Sequence, residues 1–222
     1  MEQRIQKAID EKTNLLKNID RNDTLKIIPL TNNKTPLILV NNLQIKYNNE
    51  PIFKPISFEV NNGDRIAIIG KNGIGKSSIL KLILGKDIHY DGEINIVNNI
   101  KISYVSQSTE DLKGRLKDFA YKNGIDESIF KAMLVKMGLS QTDFDTNIQD
   151  MSEGQKKKVI IAKSISEQAN IYIWDEPLNY IDILTREQIE DSILKYQPTL
   201  IFVEHDETFI GKVATKTVNL EK

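Results

Sequence analysis

The chain has 222 residues, 40% of them hydrophobic, with 30 Lys and Arg against 31 Asp and Glu and a formal net charge of −1. Such a chain can build one large domain, or a domain with an appendage, around a sizeable core, and a pI near 6.2 excludes an overall basic field for nucleic acid. With no cysteine it has no disulfide, thiolate zinc site or cysteine nucleophile, which fits a reducing compartment. No uninterrupted apolar run approaches the ~18 residues of a membrane helix. Met1-Glu2-Gln3-Arg4 does not open a signal peptide, so the expectation is a soluble, cytoplasmic protein without direct membrane insertion.

Residues 2–20 read as a helix with a thin seam of Ile5, Ile9, Leu16 and Ile19 among charged neighbours. So narrow a stripe suits either a solvated leader or one arm of a longer helical hairpin. Asn22-Asp23, Pro29, Asn32-Asn33 and Pro36 then suit a linker, and a domain boundary is predicted near residue 35. Leu37 to Tyr47 and Ile52 to Val60 predict two strands joined across Asn48-Asn49-Glu50-Pro51. Tyr47, near a strand end, serves either packing or the stacking of a base.

After the turn Asn61-Asn62-Gly63-Asp64, the apolar run Arg65 to Ile69 predicts a buried strand leading into Gly70-Lys71-Asn72-Gly73-Ile74-Gly75-Lys76-Ser77-Ser78. Ile79 to Leu84 continue as an amphipathic helix. This is GxxxxGK[ST] in its strand–turn–helix setting, a phosphate-binding loop. Glycines let the backbone wrap an anion while the helix start aims unpaired N–H groups at it. Lys76 reaches the outer phosphates and Ser77 binds Mg²⁺ in this reading.

Glu93 to Ile96 and Lys101 to Val105 predict short strands, the second followed by Gln107. A glutamine there is ordinarily a loop residue. Asp111 to Ile148 turns helical, broken by Gly124 and Gly138. Met151-Ser152-Glu153-Gly154-Gln155 opens a further helix, Lys156 to Ser166, with Ser152 as a candidate N-cap and Lys156-Lys157-Lys158 as a solvated face.

Ile171 to Trp174 is a buried-type strand ending in Asp175-Glu176-Pro177. Carboxylates at the carboxyl end of such a strand lie where open parallel sheets bind ligands. Asp175 would hold the metal, and Glu176 would orient or deprotonate the water attacking a γ-phosphate. Leu178-Asn179-Tyr180-Ile181-Asp182 forms a tight loop into the helix Leu184 to Leu194, and the strand Thr199 to Val203 ends at Glu204-His205-Asp206. His205 is either a capping or core histidine or a group approaching the γ-phosphate. A short helix over Phe209 to Lys212 and a strand over Thr217 to Leu220 complete the reading.

In this order, the tyrosine, the phosphate loop, the post-strand glutamine, the SxGQ segment, strand-DEP, the Leu-Asn-Tyr-Ile-Asp loop and strand-Glu-His-Asp resemble the ATP-binding cassette ATPase domain, over residues 37–222. The resemblance implies an α/β P-loop NTPase cassette with a mostly parallel core sheet, an antiparallel β subdomain and a small helical subdomain at about 108–168. Residues 1–34 would be the end of an interdomain linker helix with its connecting segment, and residues 35–222 the cassette. It implies ATP and Mg²⁺ as ligands, bound in a head-to-tail sandwich with a second cassette, from the same longer chain or from a second copy.

On that mapping Tyr47 stacks the adenine, while Gly70, Asn72, Gly73, Gly75, Lys76, Ser77 and Ser78 hold the phosphates. Ser77, Gln107 and Asp175 attend the metal; Glu176, Gln107 and His205 act at the γ-phosphate. Ser152, Gly154 and Gln155 complete the partner's site, and Asp182 contacts across the interface. The SxGQ segment departs from the commoner Leu-Ser-Gly-Gly-Gln at Met151 and Glu153; the carboxylate suits the helix dipole and is expected to point away from the nucleotide.

The Ser-Glu-Gly-Gln-Lys-Lys-Lys run, the Trp-Asp-Glu-Pro-Leu-Asn-Tyr-Ile-Asp run and the leading charged helix are similar to the second cassette of ABC-F antibiotic-resistance proteins of the lincosamide, pleuromutilin and streptogramin A group. That implies a ribosome-binding ATPase whose full-length partners are rRNA and tRNA, active weakly or not at all without its second cassette. The alternative is the ATPase subunit of a membrane transporter.

Overall fold

The computed structural model describes residues 25–48 and 50–222. The helix expected over 2–20 lies outside the described residues, as does Asn49 of the expected turn. Two sheets carry the molecule. In the antiparallel one, β1 (Ile38–Tyr47) pairs with β2 (Glu50–Pro51), β3 (Ile56–Val60) and β5 (Tyr90–Ile96). The other is wholly parallel: β4 (Arg65–Gly70), β6 (Ile102–Val105), β7 (Ile171–Asp175), β8 (Leu200–Val203) and β9 (Lys216–Leu220) lie in the order β6-β7-β8-β4-β9.

Strand β1 buries Ile38 and Val40, then Leu43 and Ile45. That change of parity matches a register shift between Val40 and Leu43 and a positive φ of 49° at Asn42. Gly92 faces the bulge, where a Cβ would come 2.4 Å from the Asn42 carbonyl oxygen. The expected single strand from Ile52 to Val60 is broken. Phe53 turns into the core, the Lys54 N–H goes to Glu221 O at 2.8 Å, and Pro55 has no N–H to offer a ladder.

Helices follow the parallel strands. Helix α1 (Lys76–Ile83) leaves β4, and three short helices, α2 (Leu116–Lys122), α3 (Glu127–Lys136) and α4 (Gln141–Phe144), follow β6 before α5 (Glu153–Ser166). Helix α6 (Ile183–Tyr196) joins β7 to β8, and α7 (Glu207–Val213) joins β8 to β9. All of β7 and β8 is buried, as strands covered on both faces must be. Their period of two splits the interior in two. Ile171, Ile173, Ile201 and Val203 face α1 and the antiparallel sheet, whereas Tyr172, Trp174, Leu200 and Phe202 face α5, α6 and α7. Phe202 meets Phe209 edge-on at 5.5 Å, and the Trp174 indole N–H donates to Ser164 Oγ at 2.9 Å.

Residues 25–34 are packed on this body. Leu25 and Ile27 are buried in the second core, and the Leu30 N–H donates to Ala169 O at 2.8 Å. Among the described residues no helix is long and apolar enough to cross a membrane. The architecture is the expected α/β cassette, and every parallel strand delivers its carboxyl end to one edge.

Candidate functional site

At that edge β4 ends in Gly70, where a Cβ would lie 2.9 Å from Leu220 O at φ +148°, and Gly75 at φ +108° leaves no room beside Ile52 Cδ1. These are positions only glycine fills without strain. Helix α1 then starts with no side-chain cap and no acidic residue in its first turn, so its free N–H groups face the loop uncompensated. Lys76 is only 7% exposed, and its ammonium lies along the loop, donating to Gly70 O at 2.8 Å and Lys71 O at 3.2 Å. Tyr47 is half exposed, and its hydroxyl is 3.0 Å from Ser78 Oγ. It is therefore neither core nor edge packing but a ring beside the phosphate loop.

Below the loop, Ser77 Oγ donates to Asp175 Oδ1 at 3.0 Å. Asp175 is buried, and desolvation raises its carboxyl above the usual carboxylate range although the Ser77 hydroxyl favours the ion. Glu176 follows at φ +49°, an uncommon backbone for a side chain of this size. Its Oε2 accepts from Gln107 Nε2 and from Asn179 Nδ2, both at 2.8 Å, and its Oε1 lies 3.3 Å from His205 Nε2. The twisted residue thus has its carboxylate tied by side chains from three separate loops.

Tyr47, Asn72, Gly73, Gly75, Lys76, Ser77, Ser78, Gln107, Glu176 and His205 line a single cleft of about 590 Å³, within the range of ligand sites. Asp175 lies under it through Ser77, and Gly70 opens the loop. Ser152, Gly154, Gln155 and Asp182 do not line this cleft. Ser152 caps α5, its Oγ accepting the Gln155 N–H at 3.3 Å while Gln155 Oε1 accepts the Ser152 N–H at 2.9 Å. Gly154 is there for space, since a Cβ would meet Tyr180 O at 2.7 Å. Glu153 turns onto Thr109 Oγ1 at 2.6 Å and Lys156 Nζ at 3.0 Å. Asp182 caps α6 through the Thr185 N–H at 2.9 Å and pairs with Lys158 at 2.6 Å. Burial opposes its ionisation, but the Lys158 and Thr185 contacts outweigh this and take the carboxyl down to about 2.

The solvated face expected for Lys156-Lys157-Lys158 is not what forms. Lys157 is 1% exposed and donates to Ser106 O at 3.0 Å and Gln107 O at 3.2 Å; Lys158 donates to Met137 O at 2.6 Å. Two sheet-end loops and the helical layer close over this face, so the ammonium groups are spent on carbonyls and carboxylates. Burial lowers the Lys157 pKa, and the charges of Asp175, Glu176 and Glu204 hold it up. Glu204 is buried too, accepting the Leu178 N–H at 2.8 Å and the His205 N–H at 3.1 Å, and so straps together the two loops that carry Glu176 and His205.

Asn179, Lys157 and Glu204 are thus site residues that motif reading does not select. Asn179 and Glu204 stand inside quoted motifs without a role of their own, and Lys157 stood in a run expected to be solvated.

Among the described residues no group of three or more His, Cys, Asp or Glu side chains could hold a metal by itself. What the cleft does offer is a pair of hard oxygen donors, Ser77 Oγ and Asp175 Oδ1, next to a loop built for an anion. Such a set fits a small divalent cation that takes its remaining ligands from phosphate and water.

The chain is similar over most of its length to several known proteins. The probable ATP-binding protein YbiT of Escherichia coli O157:H7 is 32% identical over 181 residues, covering 78% of this chain and 34% of YbiT. ABC transporter F family member 2 of Arabidopsis thaliana is 28% identical over 190 residues, 83% of this chain and 28% of its own. The ribosome protection protein VmlR of Bacillus subtilis (strain 168) is 30% identical over 180 residues, 78% of this chain and 32% of VmlR. The chain therefore spans about a third of the length of these relatives. Residues 53–179, more than half of the chain, match the family model described as ABC transporter, and the chain belongs to that family as an ATP-binding cassette domain.

Proposed function

We propose that this cassette hydrolyses ATP as half of a composite site and that its parent is an ABC-F protein acting on the ribosome. The observation that carries the hydrolytic part is the Glu176 carboxylate, clamped by Gln107, Asn179 and His205 at the mouth of the phosphate loop. In this reading Gly70 to Ser78 cradle the phosphates, Lys76 leaves its loop carbonyls for the outer phosphate oxygens, and Tyr47 stacks the adenine. Ser77, Asp175 and Gln107 would hold Mg²⁺, which supplies charge neutralisation on the phosphate oxygens.

Glu176 orients a water and accepts its proton as the water oxygen bonds to the γ-phosphorus and the bridging P–O bond to ADP breaks. His205, adjoining Glu176, senses the γ-phosphate. Ser152 and Gly154, turned away from their own cleft, complete the site of a partner cassette, so ATP closes the pair and hydrolysis reopens it. The isolated domain turns over slowly for want of that partner. The ribosomal assignment is supported by relatives whose printed names include an F-family ABC protein and a ribosome protection protein. Protection of translation from ribosome-targeting antibiotics is the finer part of this proposal, and it is supported by the resemblance of the Ser-Glu-Gly-Gln-Lys-Lys-Lys and Trp-Asp-Glu-Pro-Leu-Asn-Tyr-Ile-Asp runs to the ABC-F antibiotic-resistance group.

The test uses the full-length parent. With ATP and the Glu176→Gln substitution, which traps the closed state, it sediments with ribosomes and releases little phosphate. An ATP-bound parent that stays in the supernatant overturns the ribosomal assignment, and undiminished phosphate release from Glu176→Gln overturns the role of Glu176.

A further inference from the structure

Lys157 is a long charged side chain that the proposed chemistry does not use, yet only 1% of it is exposed. It belongs to the second turn of α5, whose N-terminus is the Ser152–Gln155 capping box. Its ammonium crosses to the loop after β6 and donates to two successive carbonyls, Ser106 O at 3.0 Å and Gln107 O at 3.2 Å. From Gln107 the chain of contacts continues through its side-chain amide to Glu176 Oε2 at 2.8 Å. One helical turn therefore separates the partner-facing cap from the residue that fixes the backbone of the glutamine loop.

We infer that Lys157 is a positioning residue: its ammonium pins the Ser106–Gln107 backbone to the SxGQ helix, so that a shift of that helix moves Gln107 relative to Glu176. The energetics suit a pin. A buried ammonium is costly unless paired, and here two carbonyl dipoles and the nearby charges of Asp175, Glu176 and Glu204 compensate it. Two hydrogen bonds to adjacent carbonyls fix direction as well as distance, which one bond would not. The neighbouring lysines have other duties, Lys156 on Glu153 and Lys158 on Asp182 and Met137, so neither substitutes for it.

The inference rests on the ATPase reading for its consequence, and the test separates the two. Hydrogen exchange on the 222-residue chain compares wild type with Lys157→Met, which keeps the stem and removes the charge and donors, and with Lys157→Gln, which keeps two amide hydrogens. The expected result is exchange about 10-fold faster at residues 106–109 in Lys157→Met, with β4 and β8 unchanged and Lys157→Gln intermediate. Where turnover is measurable, Lys157→Met lowers kcat about 10-fold with KM within about two-fold, and in a chain that already carries Gln107→Ala it lowers kcat no further, because Lys157 acts through that one side chain.

Exchange unchanged at 106–109, or losses that multiply in the double variant, overturn the inference. If Lys157→Met does not fold, Lys157→Gln decides by the same exchange comparison. Absent turnover in every variant removes the ATPase reading and leaves the exchange result to decide the pin.

Discussion

Two faces of this cassette treat their carboxylates in opposite ways. At the phosphate-loop edge Asp175 is buried with one hydroxyl partner and an elevated pKa, and Glu204 beside it is likewise pushed up by burial. On the SxGQ side Asp182 is taken down to about 2 by Lys158 and Thr185, and Glu153 is lowered by Thr109 and Lys156. The second face uses its charge to cap helices and join loops, so it is locally finished. On the first face Glu204 also joins two loops, but Asp175 holds its charge under the cleft with Ser77 as its hydrogen-bond partner and at a cost in stability, which is what sets a candidate binding site apart from a brace.

The sharpest way to break this contrast is Asp175→Asn. The amide still accepts from Ser77, so the fold is kept while the anionic oxygen is lost. Magnesium-dependent ATP turnover should fall about 100-fold. The thermal midpoint should rise by about 3 °C, roughly 1 kcal/mol for a domain of this size, because a desolvated carboxylate has been removed. Calorimetry showing a lower midpoint would mean that Asp175 is a brace after all.

Asp182→Ala is the converse and should be next in size. It removes the cap of α6 and leaves Lys158 short of its anion, costing about 1–2 kcal/mol in a urea titration. Binding of ATP by the same chain should stay within about two-fold, since Asp182 does not line the cleft.

Acid unfolding separates the faces again. A carboxyl lowered on folding contributes stability that is fully present above its unfolded value and is lost as pH falls through its folded value. For Asp182 that window runs from 3.8 down to about 2. For Asp175 the sign is reversed: its ionisation costs stability as pH rises through the raised folded value, and that cost is absent below 3.8. Stability measured from pH 5 to pH 2 should therefore fall less steeply in Asp182→Asn than in wild type. Equal slopes would show that the Lys158 pair and the cap contribute nothing.

How much of this was legible beforehand follows from the range of each interaction. The phosphate loop is local: strand, glycines and helix lie within Arg65 to Leu84, and the β4–loop–α1 unit formed where the residues indicated. Asp175 and Glu176 were marked by the buried-type strand ahead of them. Lys157 was not legible, because a lysine run looks solvated until Ser106 and Gln107, some 50 residues earlier, close over it. The break at Phe53 to Pro55 was legible only in part: Pro55 marks it locally, but the hydrogen bond from Lys54 to Glu221 at the far end of the chain is not visible in the segment. Periodicity reports what a segment buries on average and says nothing about which distant carbonyl it meets.

Asn179 gives the smallest effect and the finest test, because it sits where the two faces join: its loop begins at Glu176 and ends at the Asp182 cap. Its amide is one of three donors to Glu176, and Glu176 retains some contact with solvent, so a water can take the vacated lone pair. Asn179→Ala should therefore lower kcat by only about three-fold, under 1 kcal/mol, with KM unchanged. Asn179→Asp has nearly the same shape but sets a carboxylate against a carboxylate, and the loss should exceed that of the alanine variant. If Ala and Asp were equally mild, Glu176 would be held by Gln107 and His205 alone, and the loop after the carboxylates would belong to the structural face rather than to the site.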